Sequence, residues 1–212
     1  MADWATIASL ATAGGTLVLA VATFSSVRSA NRTARIAERS MLLGLRPVLV
    51  PSRDQDSVQE VVYGDGHVVH LPPGVALVEE ADGNLYLTLG LRNAGAGLAV
   101  LQAGQVFSTR VGAGHPHRDP ADFRRLQRDI YISPGDVGFW QAAIRESDED
   151  DRWPGLREAV GERRSFTVDL LYGDFEGGQW TVSRFGLFPP EEGEAWLLSV
   201  GRHWSLDGSD PR

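Results

Sequence analysis

The chain has 212 residues and neither a cysteine nor a lysine. Without cysteine there are no disulfides, thiolate nucleophiles, iron–sulfur clusters or cysteine-based zinc sites, and a reducing compartment suits the chain. Without lysine there is no Schiff-base residue, no P-loop lysine and no kinase-type phosphate lysine. All 20 basic residues are arginine. Together with plentiful Ala, Gly, Pro and Val, this usage points to a GC-rich bacterial genome. Charge is missing locally as well. From Trp4 to Val27 no Asp, Glu, Lys, Arg or His occurs.

That uncharged segment is long enough, as a helix rising ~1.5 Å per residue, to cross a hydrocarbon core of ~30 Å with some tilt. Ile7, Leu10, Leu17, Val18, Leu19, Val21 and Phe24 make it apolar. Several Ser and Thr dilute it, with hydroxyls able to bond back to helix carbonyls. Arg28, Arg32, Arg35 and Arg39 follow at steps of four, three and four, so they share a helix face. Positive flanks stay on the cytoplasmic side. The sequence therefore predicts a single-pass protein of the bacterial inner (cytoplasmic) membrane, N-terminus out and C-terminal domain in the cytoplasm. The four arginines form a lipid-facing basic flank. Two other readings exist for such a segment. A cleaved signal peptide would use Ala20-Val21-Ala22, but the basic residues lie on the wrong side of it. A soluble core helix would carry denser Leu and Ile.

Ala8, Thr12, Thr16 and Ala20 recur every fourth residue and place small side chains on one face, where two helices can approach closely. This predicts a helix–helix contact and a possible homo-oligomer. Gly44 and Pro47 end the helix. The expected organisation is residues 1–27 as transmembrane anchor, 28–45 as basic helical stalk, 46–204 as a β domain and 205–212 as a flexible tail.

Charge divides along the chain. Residues 1–50 carry a net +3 and residues 51–212 a net −11. A basic stub is drawn to anionic headgroups, whereas an acidic domain is repelled by them and by nucleic acid. The expected partners are thus the lipid bilayer and an unknown protein, with no nucleic acid.

Beyond Arg46 the hydrophobic period changes to two. Strands are predicted over 46–52, 58–63, 67–71, 85–91, 98–109, 129–133, 137–144, 166–172, 179–188 and 195–204. Gly64-Asp65-Gly66 and Pro134-Gly135-Asp136 are expected hairpin turns. Leu85, Leu87, Leu89 and Leu91 alternate with Tyr86, Thr88 and Gly90, which reads as a half-buried strand. Gly104 is a candidate bulge, and Asp119-Pro120 could open a short helix through Gln127. Residues 153–160 suggest one or two helical turns. The fold class is mainly β: an N-terminal transmembrane helix with a helical stalk, then an antiparallel sandwich.

Three features occur together: the uncharged span with its basic flank, Asn93-Ala94-Gly95-Ala96-Gly97-Leu98-Ala99 after a strand, and Tyr172-Gly173-Asp174 before Trp180-Thr181. In these the chain resembles a broad group of uncharacterised bacterial single-pass membrane proteins with an immunoglobulin-like cytoplasmic domain. The glycine turn is also similar to that of adhesion-type immunoglobulin-like modules. The resemblance implies an immunoglobulin-like sandwich and carries no catalytic or cofactor-binding residues. In such a turn Asn93 bonds the backbone locally, and Gly95 and Gly97 can take positive φ.

No catalytic motif stands out, and no cofactor is implied. His115 and His117, with Asp119 and Asp122 close by, are the only candidate metal ligands, and the rival function they suggest is a metal-dependent hydrolase. Pro116 splays the two histidines, and a loop offers little support to a metal. His67 and His70, three apart in a strand, face opposite ways. His203 reads as a surface or edge residue. The acidic run at 146–151 lacks the spacing and central glycine of an EF-hand. The aromatics Phe139, Trp140, Trp153, Phe166, Tyr172, Trp180, Phe185 and Trp196 are expected to fill the core. The function that follows is a membrane-anchored interaction or scaffold module, with a small oligomerising membrane effector as a further alternative.

Overall fold

A computed structural model describes residues 3–145 and 153–207. The chain divides into two compact units, Met1–Gly44 and Leu45–Arg212.

The first unit is a single helix, α1 (Trp4–Gly44), of 41 residues with no break where the arginines begin. Its segment Ile7–Leu42 is long and apolar enough to cross a membrane. Leu10, Leu17, Val18, Leu19 and Phe24 are all exposed. The hydroxyls of Thr12 and Thr16 donate to the carbonyls of Ala8 and Thr12, each at 2.9 Å. Ser25 and Thr33 bond back in the same way. A hydroxyl satisfied within its own helix presents mainly its methyl or methylene outward, so the polar residues cost an apolar environment little.

The second unit is an antiparallel β domain. Its strands are β1 (Leu49–Pro51), β2 (Gln59–Val62), β3 (Val68–Leu71), β4 (Val75–Ala81), β5 (Asn84–Asn93), β6 (Ala99–Phe107), β7 (Arg124–Ile132), β8 (Val137–Ile144), β9 (Phe166–Gly173), β10 (Trp180–Phe188) and β11 (Ala195–Ser205). A short helix, α2 (Leu156–Gly161), precedes β9. Nine strands form one continuous sheet in the order β1-β5-β4-β11-β10-β9-β6-β7, with β8 on the other edge of β5. β4 pairs with the first part of β5 and β1 with its last three residues, along the same edge. β11 bonds to both β4 and β10, joining the two halves. An N-terminal apolar helix followed by a mostly antiparallel β domain agrees with the expected helix plus β-sandwich, with hydrogen bonding continuous through all nine strands. Leu49, Leu87, Leu89, Leu101, Trp140, Phe166, Tyr172, Phe185 and Trp196 meet in the core. Each such large apolar side chain contributes roughly 1.5–3 kcal/mol on full burial.

Several expectations need correction. β5 is buried on both faces, not half-buried. Its leucines point to the main core, and the β2–β3 hairpin covers Tyr86 and Thr88. There the Tyr63 hydroxyl donates to the Leu87 carbonyl at 2.9 Å and shares a 2.6 Å hydrogen bond with Thr88 Oγ1. β4 was not foreseen as a strand. The helix at Asp119-Pro120 is one 3-10 turn, Pro120–Asp122, and the residues after Phe123 are already strand. The bulge in β6 falls between Leu101 and Ala103 rather than at Gly104. Gly104 instead admits the indole of Trp140, because a Cβ there would stand 2.8–3.0 Å from three of its atoms.

β7 and β8 do not form a hairpin. β7 pairs with β6 and β8 with β5, so these two consecutive strands are the two ends of the sheet. The cause is the turn between them. Gly135 N–H donates to the Asn93 carbonyl (2.9 Å), and Asn93 N–H donates to that of Asp136 (3.0 Å). The turn is thereby fastened to the end of β5, and β8 runs on along the free edge of that strand.

Gly95 and Gly97 are not at positive φ. A Cβ on Gly97 would lie 1.8 Å from the Leu45 carbonyl oxygen, and one on Gly95 2.3 Å from that of Arg46. They are glycines because the incoming chain crosses directly over them. The expected loose tail is fastened in its described part. Asp207 accepts from Trp180 N–H at 2.9 Å and pairs with Arg46 at 3.0 Å. Residues 208–212 lie outside the described set.

Candidate functional site

A concavity lies between the two ends of the sheet. β7 holds register with β6 at Ile130, opposite Leu101, and again at Arg125, opposite Ala103. Five steps on β7 therefore answer two on β6, and Leu126–Asp129 bow out of the ladder. Between this bow and β8 opens a cleft of about 480 Å³. Its floor is Trp140, packed on Gly104, with Leu126, Ile130 and Ala142. The loop end of the β2–β3 hairpin and Trp153 close its ends.

Arg124, Arg125, Arg128 and Arg145 also line the cleft, a concentration of positive charge in a unit, Leu45–Arg212, of net −10. Arg145 pairs with Asp65 at 3.4 Å. Arg125 and Arg128 are exposed and have no acidic partner among the described residues. Two buried polar atoms at the cleft find no hydrogen-bond partner there: Trp140 Nε1, a donor on a residue only 1% exposed, and Gln141 Oε1, an acceptor. Such orphaned groups are uncommon in folded proteins, and each calls for an explanation.

Asp65, at the tip of the hairpin, holds one end of the cleft in place. It accepts from the Tyr86 hydroxyl (2.9 Å) and from His67 N–H (3.1 Å). Burial alone would raise its carboxyl, but those two donors and the Arg145 guanidinium outweigh it and hold Asp65 below the usual carboxylate range. Burial, and then donation to Asp65, pushes the Tyr86 hydroxyl up; burial does the same for Tyr63. His67 stacks on Tyr86 at 4.1 Å and reaches Glu79 at 3.4 Å.

No family model, curated protein or solved structure matches this chain. The site is therefore read from its own chemistry.

The candidate metal ligands sit on a loop fastened by Arg184. Among the described residues no group of three or more His, Asp or Glu is arranged to hold a metal ion. His117 packs edge-on against Trp204 at 5.5 Å, and its Nδ1 lies 2.6 Å from the Arg118 carbonyl oxygen. Asp119 accepts from Ala121 N–H at 2.9 Å, capping the 3-10 turn with Asp122 at its end. His115 contributes its carbonyl oxygen to Arg184 at 2.9 Å.

Arg28, Arg32 and Arg35 are exposed on α1, as are Ala8, Thr12, Thr16 and Ala20; the side chain of Arg39 lies outside the described set. The acidic residues of 146–151 also lie outside it.

One pairing was invisible in the sequence. Ser183 and His203 stand opposite each other in β10 and β11, with Oγ 2.6 Å from Nδ1. Tyr172 bonds the same Oγ at 2.8 Å and accepts from Leu49 N–H. His203 is half-buried rather than on the surface. Ser183 is fully buried, so this serine–histidine contact ties four strands together and offers no nucleophile to solvent.

Proposed function

We propose that this protein is a membrane-anchored interaction module. α1 is its single-pass anchor in the bacterial inner membrane, and the β domain faces the cytoplasm. The cleft between β7 and β8 is its binding face. The observation that carries this reading is the arginine-lined opening at the one seam where the sheet does not close on itself. The helix adds support, since it is long and apolar enough to span a bilayer and its arginines all follow the uncharged segment. Ser183, the serine beside His203, is buried, and among the described residues His115, His117, Asp119 and Asp122 do not converge into a metal-holding group.

A photo-crosslinking amino acid tests this in cells. Placed at Gln127, on the exposed bow of β7, p-benzoylphenylalanine is expected to give a discrete light-dependent protein adduct. At Leu197, which is exposed but distant in the sheet order, it is expected to give none. No adduct from Gln127, or the same pattern from both positions, overturns the assignment of the cleft as the binding face.

A further inference from the structure

We propose that the occupant of the cleft is an extended acidic peptide segment, added as a strand between β7 and β8; this rests on the reading of the cleft as the domain's binding face. Three independent features select that occupant.

The first is the open ladder. Among the described residues β7 has β6 as its only strand partner and β8 has only β5. Each strand therefore has a second edge without a ladder. An added strand supplies main-chain partners along such an edge. The register mismatch at Leu126–Asp129 takes this part of β7 out of its ladder with β6. Near the Pro134-Gly135 turn the two strands are close, since a Cβ on Gly138 would lie 2.8 Å from Ile132, and the bow and cleft lie farther along β7.

The second feature is charge. Arg128 on the bow and Arg125 at its start, both exposed, match carboxylates. Arginine favours them because its planar fork makes two parallel hydrogen bonds to one carboxylate. Asp122 and Asp129 flank this run in sequence and Asp65 is held by Arg145, but neither Arg125 nor Arg128 has an acidic partner among the described residues. Alternate side chains of an added strand would face the arginines, and the intervening ones would face the apolar floor of Leu126, Ile130 and Ala142.

The third feature is a pair of unpartnered polar atoms of opposite kind. Trp140 Nε1 is a donor and Gln141 Oε1 an acceptor, and both lack partners. A peptide backbone brings both an acceptor and a donor.

The test uses the full-length chain in neutral-detergent micelles and an eight-residue capped peptide of alternating Glu and Val carrying a fluorophore. Saturable binding is expected, and the Arg125→Glu/Arg128→Glu chain should bind at least about tenfold more weakly, the scale of lost charge-assisted hydrogen bonds. Both side chains are exposed, so far-ultraviolet circular dichroism of that variant should match the parent. Carbon-13 labels in the peptide carbonyls should show the infrared band of a paired strand on binding. Four outcomes overturn the proposal. One is equal binding of the Lys/Val peptide. Another is equal binding of a Glu-rich peptide interrupted by proline, which cannot pair as a strand. A third is binding unaffected by the arginine reversals. The last is displacement by millimolar inorganic phosphate or by phosphatidylglycerol vesicles, which would assign the cleft to a phosphate group. Failure here alongside a specific Gln127 adduct in cells leaves the binding face in place and removes only the peptide strand.

Discussion

Arg184→Met should lower the stability of the β domain by about 3–5 kcal/mol, the cost of breaking a buried ion pair from one side. Arg184 and Asp169 are cross-strand neighbours in β10 and β9, 2% and 0% exposed at their side chains. The guanidinium makes a two-pronged contact with the carboxylate, Nε to Oδ1 at 2.8 Å and Nη2 to Oδ2 at 2.7 Å. Its remaining N–H groups go to the carbonyls of Gly112 (3.0 Å), His115 (2.9 Å) and Pro116 (3.4 Å). All five donors of the side chain are thus used. Its flat face also lies over Trp204, 4.8 Å from the ring centroid. Methionine would leave the Asp169 carboxylate buried and unpaired and would release the 112–116 loop. Arg184→Lys should fail almost as badly, because an ammonium has three donors and no planar fork. Adding Asp169→Leu to Arg184→Met should recover much of the loss, since no lone charge then stays in the core. Equilibrium denaturation of the full chain in detergent reads all three. A loss of under about 1 kcal/mol for Arg184→Met would show that the pair is not the anchor described.

Asn93→Ala is expected to cost at least about 3 kcal/mol, from buried groups that each cost ~1–3 kcal/mol when left unsatisfied. Asn93 is fully buried. Its Oδ1 accepts from Val48 N–H (3.2 Å) and Gly95 N–H (3.0 Å), and its Nδ2 donates to the carbonyls of Gly97 (2.7 Å) and Ile132 (3.0 Å). One side chain thus joins the entry of the chain, the turn after β5 and the end of β7. Asn93→Asp keeps the acceptor and loses both donors, so it should restore amide protection at Val48 and Gly95 but not full stability. Gly97→Ala should also be severe, because its methyl would run into the backbone at Leu45 rather than into a side chain that can move aside. Hydrogen exchange at Val48 and Gly95 checks the mechanism. Unchanged protection in Asn93→Ala would contradict it.

Local patterning carried much of the fold into view. The charge gap of α1, the strand at 166–172 and the Gly64-Asp65-Gly66 hairpin are properties of neighbouring residues, and they appear where the sequence places them. What the sequence hid depends on distant partners. β5 shows two-faced alternation, yet its polar face is covered by a hairpin from another part of the chain. Pro134-Gly135-Asp136 has the chemistry of a hairpin turn, but Asn93, some forty residues earlier, diverts the strands to different partners. Ser183 and His203 meet only through strand register. The cleft was the least legible feature. Its arginines lie in β7 and at the end of β8, and nothing local announces that these strands form the two ends of one sheet. The bow that opens it is a mismatch between strands, visible only once both are paired.

The most direct test of the account uses the missing cysteines. In a chain with none, a single introduced cysteine reports the side of the membrane on which it lies. Asp3→Cys precedes the uncharged segment, and Phe175→Cys sits in an exposed turn of the β domain. In intact spheroplasts a membrane-impermeant maleimide is predicted to label Cys at position 3 at once, and at position 175 only after the cells are opened. Labelling at position 175 in closed spheroplasts, or recovery of the chain in the soluble fraction, would contradict a cytoplasmic domain held by a membrane-spanning helix.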